Sequence, residues 1–294
     1  MNILTAQNWQ DYELIDTGNG QRLERFGQYT LVRPDPQIIW KPSLPKSEWD
    51  KADAIFEKTS GDKGSWIKNK NMPDKWLCKY QNLSFWVKLS PFKHTGVFPE
   101  QSVQWDWIKD KILTRPSSNI LNLFGYTGLA SLVAASAGAK VTHIDASYPT
   151  IGWAKENALA SGLQDKPIRW ILDDALKFVN REIKRGVKYD GIIMDPPIYG
   201  HGPKGEVWDF NKSFPELLEK CIQILSNNPL FILVNAYAIS TSAITLENTL
   251  SDFTKPLEGN LDSGELTLTD NSGKLLSTGI FARWSEQSSS ASKD

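Results

Sequence analysis

Apolar and polar positions alternate with a period of two in three short runs near the start of the chain, YELIDTG (12–18), QRLERFG (21–27) and QYTLVRP (28–34). A Gly-Asn-Gly turn separates the first two runs and prolines end the third, so the pattern predicts antiparallel strands. Residues 42–60, opening PSLPKSEWDK, predict a short helix begun by Pro and Ser, and WLCKYQNLSFWVKLS (76–90) predicts a second hairpin. From about residue 100 the rhythm changes to strand then helix. QSVQWDWIKDKIL has helical apolar spacing, NILNLFG is a short apolar strand, TGLASLVAASAGA a small-residue helix, VTHIDAS a second strand and PTIGWAKENALASGL a second helix. IRWILDDAL runs into ALKFVNREIKRG, YDGIIMDPP follows, and PLFILVNAY is a fifth strand. Strands alternating with helices specify a parallel sheet covered on both faces. GELTLTD and KLLSTGIFARW, flanking Asn-Ser-Gly, then predict a closing antiparallel hairpin.

At 294 residues the chain has room for one large core and a smaller module. The pattern divides it into a small β-rich N-terminal module over 1–93, an α/β domain over 94–285 and a polar tail over 286–294. No stretch approaches the roughly 20 consecutive apolar residues of a membrane span, and MNILTAQNWQ lacks the regions of a signal peptide, so a cytoplasmic protein away from membranes is the expectation. Cys78 and Cys221 lie far apart, with no CxxC and no His-rich neighbourhood, which points to neither a disulfide framework nor a zinc site. The formal net charge of −1 gives no global pull toward nucleic acid. Locally, 41–93 holds eleven lysines against six acidic residues, a surplus of +5, while 240–294 holds four basic against eight acidic ones. The first region suits an acidic substrate better than the last; it reads equally as a solvated lysine-rich surface.

In an open parallel sheet the ligand crevice lies beyond the carboxyl ends of the strands. The first strand of the α/β part ends in a turn with the spacing Gly125-Tyr126-Thr127-Gly128, which lets backbone approach a ligand but lacks the GxGxxG of dinucleotide sites. Asp145 ends the second strand, where a carboxylate can accept both ribose hydroxyls or cap the helix that follows with Ser147. Asp173 and Asp174 end the third, where one can accept an exocyclic amine and the other cap a helix. The fourth ends in Asp195-Pro196-Pro197, a carboxylate before a rigid turn. The set suits a nucleoside without a phosphate clamp.

The stretches HTGVFPEQ (94–101), ILNLFGYTGLAS (120–131), VTHIDASYPTIGWAKENA (141–158), LDDALKF (172–178) and IIMDPPIYG (192–200) resemble the class I S-adenosylmethionine-dependent methyltransferases, with their Rossmann-like sheet. More closely they resemble the bacterial group around the large-subunit ribosomal-RNA cytosine-5 methyltransferases. That resemblance covers about two thirds of the chain and implies S-adenosyl-L-methionine as cofactor, S-adenosyl-L-homocysteine as product and RNA as partner. It implies that Phe124, Gly125, Tyr126, Thr127 and Gly128 hold the methionine end, Asp145 with Ala146 and Ser147 the ribose, and Asp173 or Asp174 the adenine amine. Asn157 falls at the ENA position; Thr95, Gly96 and Gln101 fall in the stretch that closes over the cofactor. Asp195, Pro196, Pro197 and Tyr199 would present the acceptor.

Two departures limit the transfer. The cytosine-5 enzymes use a cysteine nucleophile near the end of the fifth strand, where this chain has Val234-Asn235-Ala236-Tyr237, and ring-carbon activation needs a thiolate. Amino-group methyltransferases place an aromatic directly after the two prolines, where Ile198 intervenes before Tyr199. The expectation is therefore a methyltransferase of RNA, ribosomal RNA first, acting where no cysteine is required. Methylation of a small molecule or protein, and a non-catalytic RNA-binding protein retaining the fold, are the alternatives. In GHGPKGEVWDF (200–210), His201, Lys204, Glu206 and Trp208 are candidates for substrate contact or for a surface lid.

Overall fold

The computed structural model describes residues 1–60, 63–68, 71–237 and 241–287. β1 (Asn2–Thr5) is followed by β2 (Tyr12–Gly18), β3 (Gln21–Phe26), β4 (Tyr29–Pro34), the one-turn helix α1 (Lys46–Trp49), β5 (Ala54–Ser60), β6 (Lys63–Lys68), β7 (Lys75–Tyr80) and β8 (Leu83–Lys88). A 3-10 turn at Pro99–Gln101 leads into α2 (Ser102–Thr114), β9 (Asn119–Leu123), α3 (Leu129–Ser136), β10 (Lys140–Asp145), α4 (Tyr148–Ala160), β11 (Ile168–Leu172), α5 (Ala175–Arg185) and β12 (Gly191–Met194). Then come β13 (Tyr199–His201), β14 (Val207–Asp209), α6 (Phe210–Gln223), β15 (Phe231–Ala236), α7 (Ala243–Thr254), β16 (Asn260–Thr269) and β17 (Leu275–Ser285).

The large sheet has the order β1-β16-β17-β15-β12-β9-β10-β11, parallel from β15 to β11 and antiparallel where β17 enters. Period-two alternation explains how its central strands serve two cores. On β12, Ile192 and Met194 pack with α5, α6 and α7 side chains such as Phe178, Leu217 and Leu250, whereas Ile193 points to the other face with Ile108 and Ala134. On β15, Ile232 and Val234 join the first group and Phe231 and Leu233 the second. A strand buried on both faces must read as a continuous apolar run, as FILV does. The mostly parallel sheet with a closing antiparallel hairpin is the expected fold class.

The small sheet runs β2-β3-β4-β5-β6 and packs beside the β7 and β8 hairpin. A shared core joins it to the α/β part: Trp9, Phe26 and Phe85 cluster with Trp105 of α2, Leu132 of α3 and Leu268 of β16. Hydrogen bonds from Trp153 Nε1 to the Trp86 carbonyl (3.0 Å) and from the Trp86 N–H to Asn157 (2.8 Å) tie β8 to α4. β1, at the start of the chain, lies in the large sheet, parallel to β16.

Two elements differ from the sequence pattern. The helix expected over 42–60 stops at Trp49. From Ala54 the chain is a strand, with Ala54 and Phe56 buried and pairing partners in both β4 and β6. Alternation over AIF and a free edge on β4 outweigh a weak helical signal. The loop over 200–210 contains the β13 and β14 hairpin, closed by Glu206 and fastened by Trp208. The polar tail assigned to 286–294 lies outside the described residues from 288 onward.

Candidate active site

The turn after β9 is built from unusual backbone. Phe124 (φ 58°) and Tyr126 (φ 50°) are both left-handed, a conformation that bulky residues adopt only when their surroundings compel it. The compulsion is visible. Gly125 N–H donates to the Ile144 carbonyl (2.9 Å), Tyr126 N–H to Asp145 Oδ2 (2.9 Å), and Gly128 N–H to the Gly125 carbonyl (3.0 Å). Gly128 (φ 87°) starts α3. Beneath the turn lies the buried imidazole of His143, held 3.0 Å from Ser131 Oγ, which in turn accepts from Asn122 Nδ2 at 2.9 Å. A Cβ at Gly125 would sit 2.3 Å from that ring, so position 125 admits only hydrogen.

Asp145 ends β10 with its carboxylate fixed by the Tyr126 N–H on one oxygen and the Ser147 N–H (2.8 Å) on the other. Each oxygen keeps a lone pair for a ligand. Burial raises the pKa of Asp145, and the backbone donors Ser147, Tyr126 and Ala146 oppose the rise. After β11 the two aspartates divide their roles: Asp174 caps α5 by accepting from Lys177 N–H (2.9 Å), while Asp173 pairs with Arg181. Both line a small cavity of about 60 Å³ with Phe124, Ala146, Pro197 and Trp208.

Asp195 follows β12 at the base of a cleft of about 720 Å³. Burial lifts its carboxyl to about 6. Among the described residues its carboxylate accepts from Gln101, whose Nε2 lies 3.5 Å from Oδ2 and whose Oε1 accepts from Asn235 Nδ2 at 2.9 Å. Asn235 stands next to the last residue of β15. Cys78, in β7, and Cys221, in α6, are buried; loss of water raises the Cys78 thiol to about 12 and shifts Cys221 upward as well. The proline turn is anchored by Trp208 Nε1, which donates to the Pro197 carbonyl at 2.7 Å, leaving Ile198 and Tyr199 exposed on the rim.

The structure brings Gln101, Phe124, Tyr126, Asp145, Ala146, Asp195, Pro196, Pro197 and Tyr199 into the lining of the one cleft, and Gly96, Gly125 and Thr127 into an adjoining cavity of about 60 Å³. Thr95, Gly128, Ser147 and Asn157 stand behind these walls. Asn157 uses both ends of its amide internally, donating to the Thr127 carbonyl (2.9 Å) and accepting from Trp86 N–H, and so braces the glycine turn against β8. Thr127 Oγ1 donates to the Gly96 carbonyl (2.6 Å), tying the 94–101 stretch to the same turn. His201 lines the Asp173 cavity beside Tyr199, 5.3 Å between rings; Lys204 and Glu206 close the hairpin through an N–H to Oε2 bond (2.8 Å).

Sequence reasoning missed the opposite wall, made by His94, Phe98, Glu100 and Tyr237 with Leu266, Thr278 and Gly279. Three of these, His94, Phe98 and Glu100, stand inside HTGVFPEQ, so the aromatic and acidic residues of that stretch were an available signal. Phe98 packs 5.3 Å from His94, 5.6 Å from Tyr126 and 6.3 Å from Tyr237. The stretch is held from the small sheet by Arg33, which forks onto Glu24 (2.6 and 2.8 Å) and donates to the Lys93 carbonyl (3.1 Å).

A 3-2-1-4-5 strand order, a glycine turn without a phosphate clamp and an aspartate after the next strand define an α/β protein built for an adenosine-type ligand. The solved S-adenosylmethionine-dependent methyltransferase of Agrobacterium tumefaciens is 43% identical, with a TM-score of 0.94 over 98% of this chain and 94% of that one. The structure of SMU.776 complexed with S-adenosylhomocysteine, at 18% identity, shares the fold, with a TM-score of 0.75 over 95% of this chain and 76% of that one. Among curated proteins, the ribosomal RNA large subunit methyltransferase K/L of Shewanella frigidimarina is 37% identical over 153 residues, 51% of this chain and 21% of that protein. The one from Shewanella sp. W3-18-1 is 30% identical over 184 residues, 59% of this chain and 25% of that protein. The chain thus spans about a quarter or less of the length of these relatives. No family model matches it. The chain belongs to the S-adenosylmethionine-dependent methyltransferases, and S-adenosylmethionine is its cofactor. No helix among the described residues is long and apolar enough to cross a membrane.

Proposed function

We propose that this methyltransferase acts in the cytoplasm on RNA, ribosomal RNA first, at a nitrogen or another atom that needs no cysteine nucleophile, and that residues 1–93 help to hold the substrate. One observation carries the reading of the site: Asp145 and the Asp195-Pro196-Pro197 turn face one cleft whose far wall is aromatic. The RNA part draws on the K/L enzymes. When bound, S-adenosylmethionine supplies an electrophilic methyl group on a sulfonium. Phe124, Gly125, Tyr126 and Thr127, with Gly96 and Gln101, fit its amino-acid end, Asp145 its ribose, and the Ala146, Asp173 and Trp208 cavity its adenine. Thr95, Gly128, Ser147, Asn157 and the Asp174 cap support those groups from behind.

The chain's own part is to align and to desolvate. Positioning of two reactants in line accounts for up to about 7–11 kcal/mol of a barrier. Proline fixes φ at 196 and 197 and restricts Asp195, so the carboxylate and the Pro196 carbonyl hold an acceptor N–H in one direction. Tyr199, at the rim, offers a face for a base to stack on. Tritium-methyl transfer to fractionated RNA, protein and metabolite pools tests the substrate class; the expected label is in RNA, and label confined to the other pools rejects it.

Two further outcomes are expected. Asp145→Ala removes the anchor of both the ribose and the Tyr126 N–H, so S-adenosylhomocysteine should bind about 10- to 100-fold more weakly by calorimetry, the worth of a hydrogen bond to a charged group. Unchanged affinity would sink the ribose role. The second concerns pH. The free Asp195 carboxyl titrates at about 6, and among the groups facing the same cleft Glu100 is raised to about 7 while burial lowers His94 to about 3. If ionised Asp195 holds the acceptor, kcat/KM should fall as pH drops through about 6. In kcat the limb should lie lower, because a nearby sulfonium favours the carboxylate. An Asp195→Asn profile that keeps the same limb assigns it elsewhere.

A further inference from the structure

The cleft contains more polar capacity than the cofactor and the proline turn use. Glu100 lines it, is only 4% exposed, and its Oε2 has no hydrogen-bond partner. His94 lines the same wall, and its Nδ1 is likewise buried and unpartnered. A buried carboxyl oxygen without a partner costs stability, so such an atom asks for an explanation.

Charge balance inside the fold supplies one only in part. Arg33 forks onto Glu24, and Arg22, whose Nε lies 3.5 Å from Glu24 and 3.8 Å from Asp35 without a hydrogen bond, acts on Glu100 only at longer range. Among the described residues no cation stands within ion-pair distance of Glu100. Burial, against the pull of Arg22, of its own backbone N–H and of Arg33, raises its carboxyl to about 7. Around it, the rings of His94, Phe98 and Tyr237 stand with centroids 5.3 to 6.5 Å apart. Aromatic faces beside a buried acceptor are the complement of a flat heterocycle with an N–H on its edge.

We infer that Glu100 determines acceptor specificity: its free carboxyl oxygen accepts a hydrogen bond from an N–H of a planar nitrogen heterocycle lodged against Phe98 and Tyr237. The proposal rests on the RNA reading only for the source of that ring, a nucleobase. It places recognition on the 3-10 turn at Pro99–Gln101, beside Gln101, whose Nε2 lies 3.5 Å from Asp195. Glu100 is a recognition residue here, and methyl transfer needs no proton from it.

The test compares the full-length wild type with Glu100→Met, which fills the space without a polar atom, and Glu100→Gln, which keeps one acceptor oxygen. For Glu100→Met we expect S-adenosylhomocysteine affinity within about twofold of wild type and a thermal midpoint equal or higher, with KM for the methylated RNA raised at least about 10-fold and kcat changed less. Glu100→Gln should fall between. Wild-type KM in both variants overturns the assignment and leaves the RNA reading standing. So does a Glu100→Met protein that fails to fold, or that loses cofactor affinity and thermal stability together, since the carboxyl is then structural. Methyl label on proteins, or on metabolites without such a ring, overturns both proposals. Label on a heterocyclic metabolite overturns only the RNA reading, and KM for that metabolite then takes the place of KM for RNA.

Discussion

Asp195→Ala is expected to bind S-adenosylhomocysteine within about threefold of the wild type while losing about 100- to 10,000-fold in kcat/KM for methyl transfer, the range typical of a positioned acid or base. The separation follows from where Asp195 sits. It lines the cleft, 3.5 Å from Gln101 Nε2, and among the described residues makes no hydrogen bond to the glycine turn or to Asp145. Cofactor affinity measured by calorimetry and single-turnover methylation of the RNA acceptor give the two halves of the prediction. Undiminished turnover would remove Asp195 from the acceptor site.

Removing the charge of Asp195 while keeping its shape should not cost stability. The folded-state pKa of Asp195 is raised, from 3.8 to about 6, because burial disfavours the charge. For an acid shifted in this direction, stability is greatest below the unfolded value, declines as pH rises between about 4 and about 6, and stays reduced above that. At pH 8 the wild type therefore carries an ionised group in a poorly solvated place. Asp195→Asn keeps the shape and removes the charge, so its thermal midpoint at pH 8 should equal or exceed that of the wild type. An active site that is more stable without its key group fits a trade of stability for function.

Much of this half of the cleft was legible because it depends on local chemistry. A strand of four to six residues ends where an apolar run meets Gly or Asp, and in a parallel sheet all such ends lie on one edge. LFGYTG, HIDAS, LDDA and MDPP thus name neighbours in space although they are far apart in the chain. The opposite wall obeys no such rule. Leu266, Thr278 and Gly279 reach it because β17 enters the sheet antiparallel to β15 with Ala236 opposite Ile280, a register set by long-range packing. Glu100 and His94 become conspicuous only once burial shows that each keeps an unsatisfied atom. The strand at 54–60 was missed for a related reason. Its conformation is decided by partners in β4 and β6 and not by its own seven residues. Glycine spacing is also a partial guide to the backbone, since two of the three left-handed residues of the turn are Phe124 and Tyr126, which no propensity would select.

That strained turn leads to the second large effect. Gly125→Ala is expected to weaken S-adenosylhomocysteine binding more than about 100-fold, at or above the upper end of the roughly 1–3 kcal/mol typical of overpacking a core. The added methyl would lie 2.3 Å from His143 Cε1 and 2.4 Å from Nδ1. His143 cannot retreat without leaving Ser131 Oγ, and it is fully buried against Trp170 at 4.8 Å between rings. The backbone must move instead, and the hydrogen bonds that hold Phe124 and Tyr126 left-handed, Gly125 N–H to Ile144 and Tyr126 N–H to Asp145, move with it. Gly152→Ala is the control: it lies in α4, where a Cβ meets nothing, and should be neutral or stabilising by up to about 1 kcal/mol. A second change tests the cause directly. If the clash with the imidazole is responsible, His143→Ala should be damaging alone yet restore part of the cofactor affinity when combined with Gly125→Ala, a strongly non-additive pair. Additive losses would mean that the turn fails for a reason other than the ring beneath it.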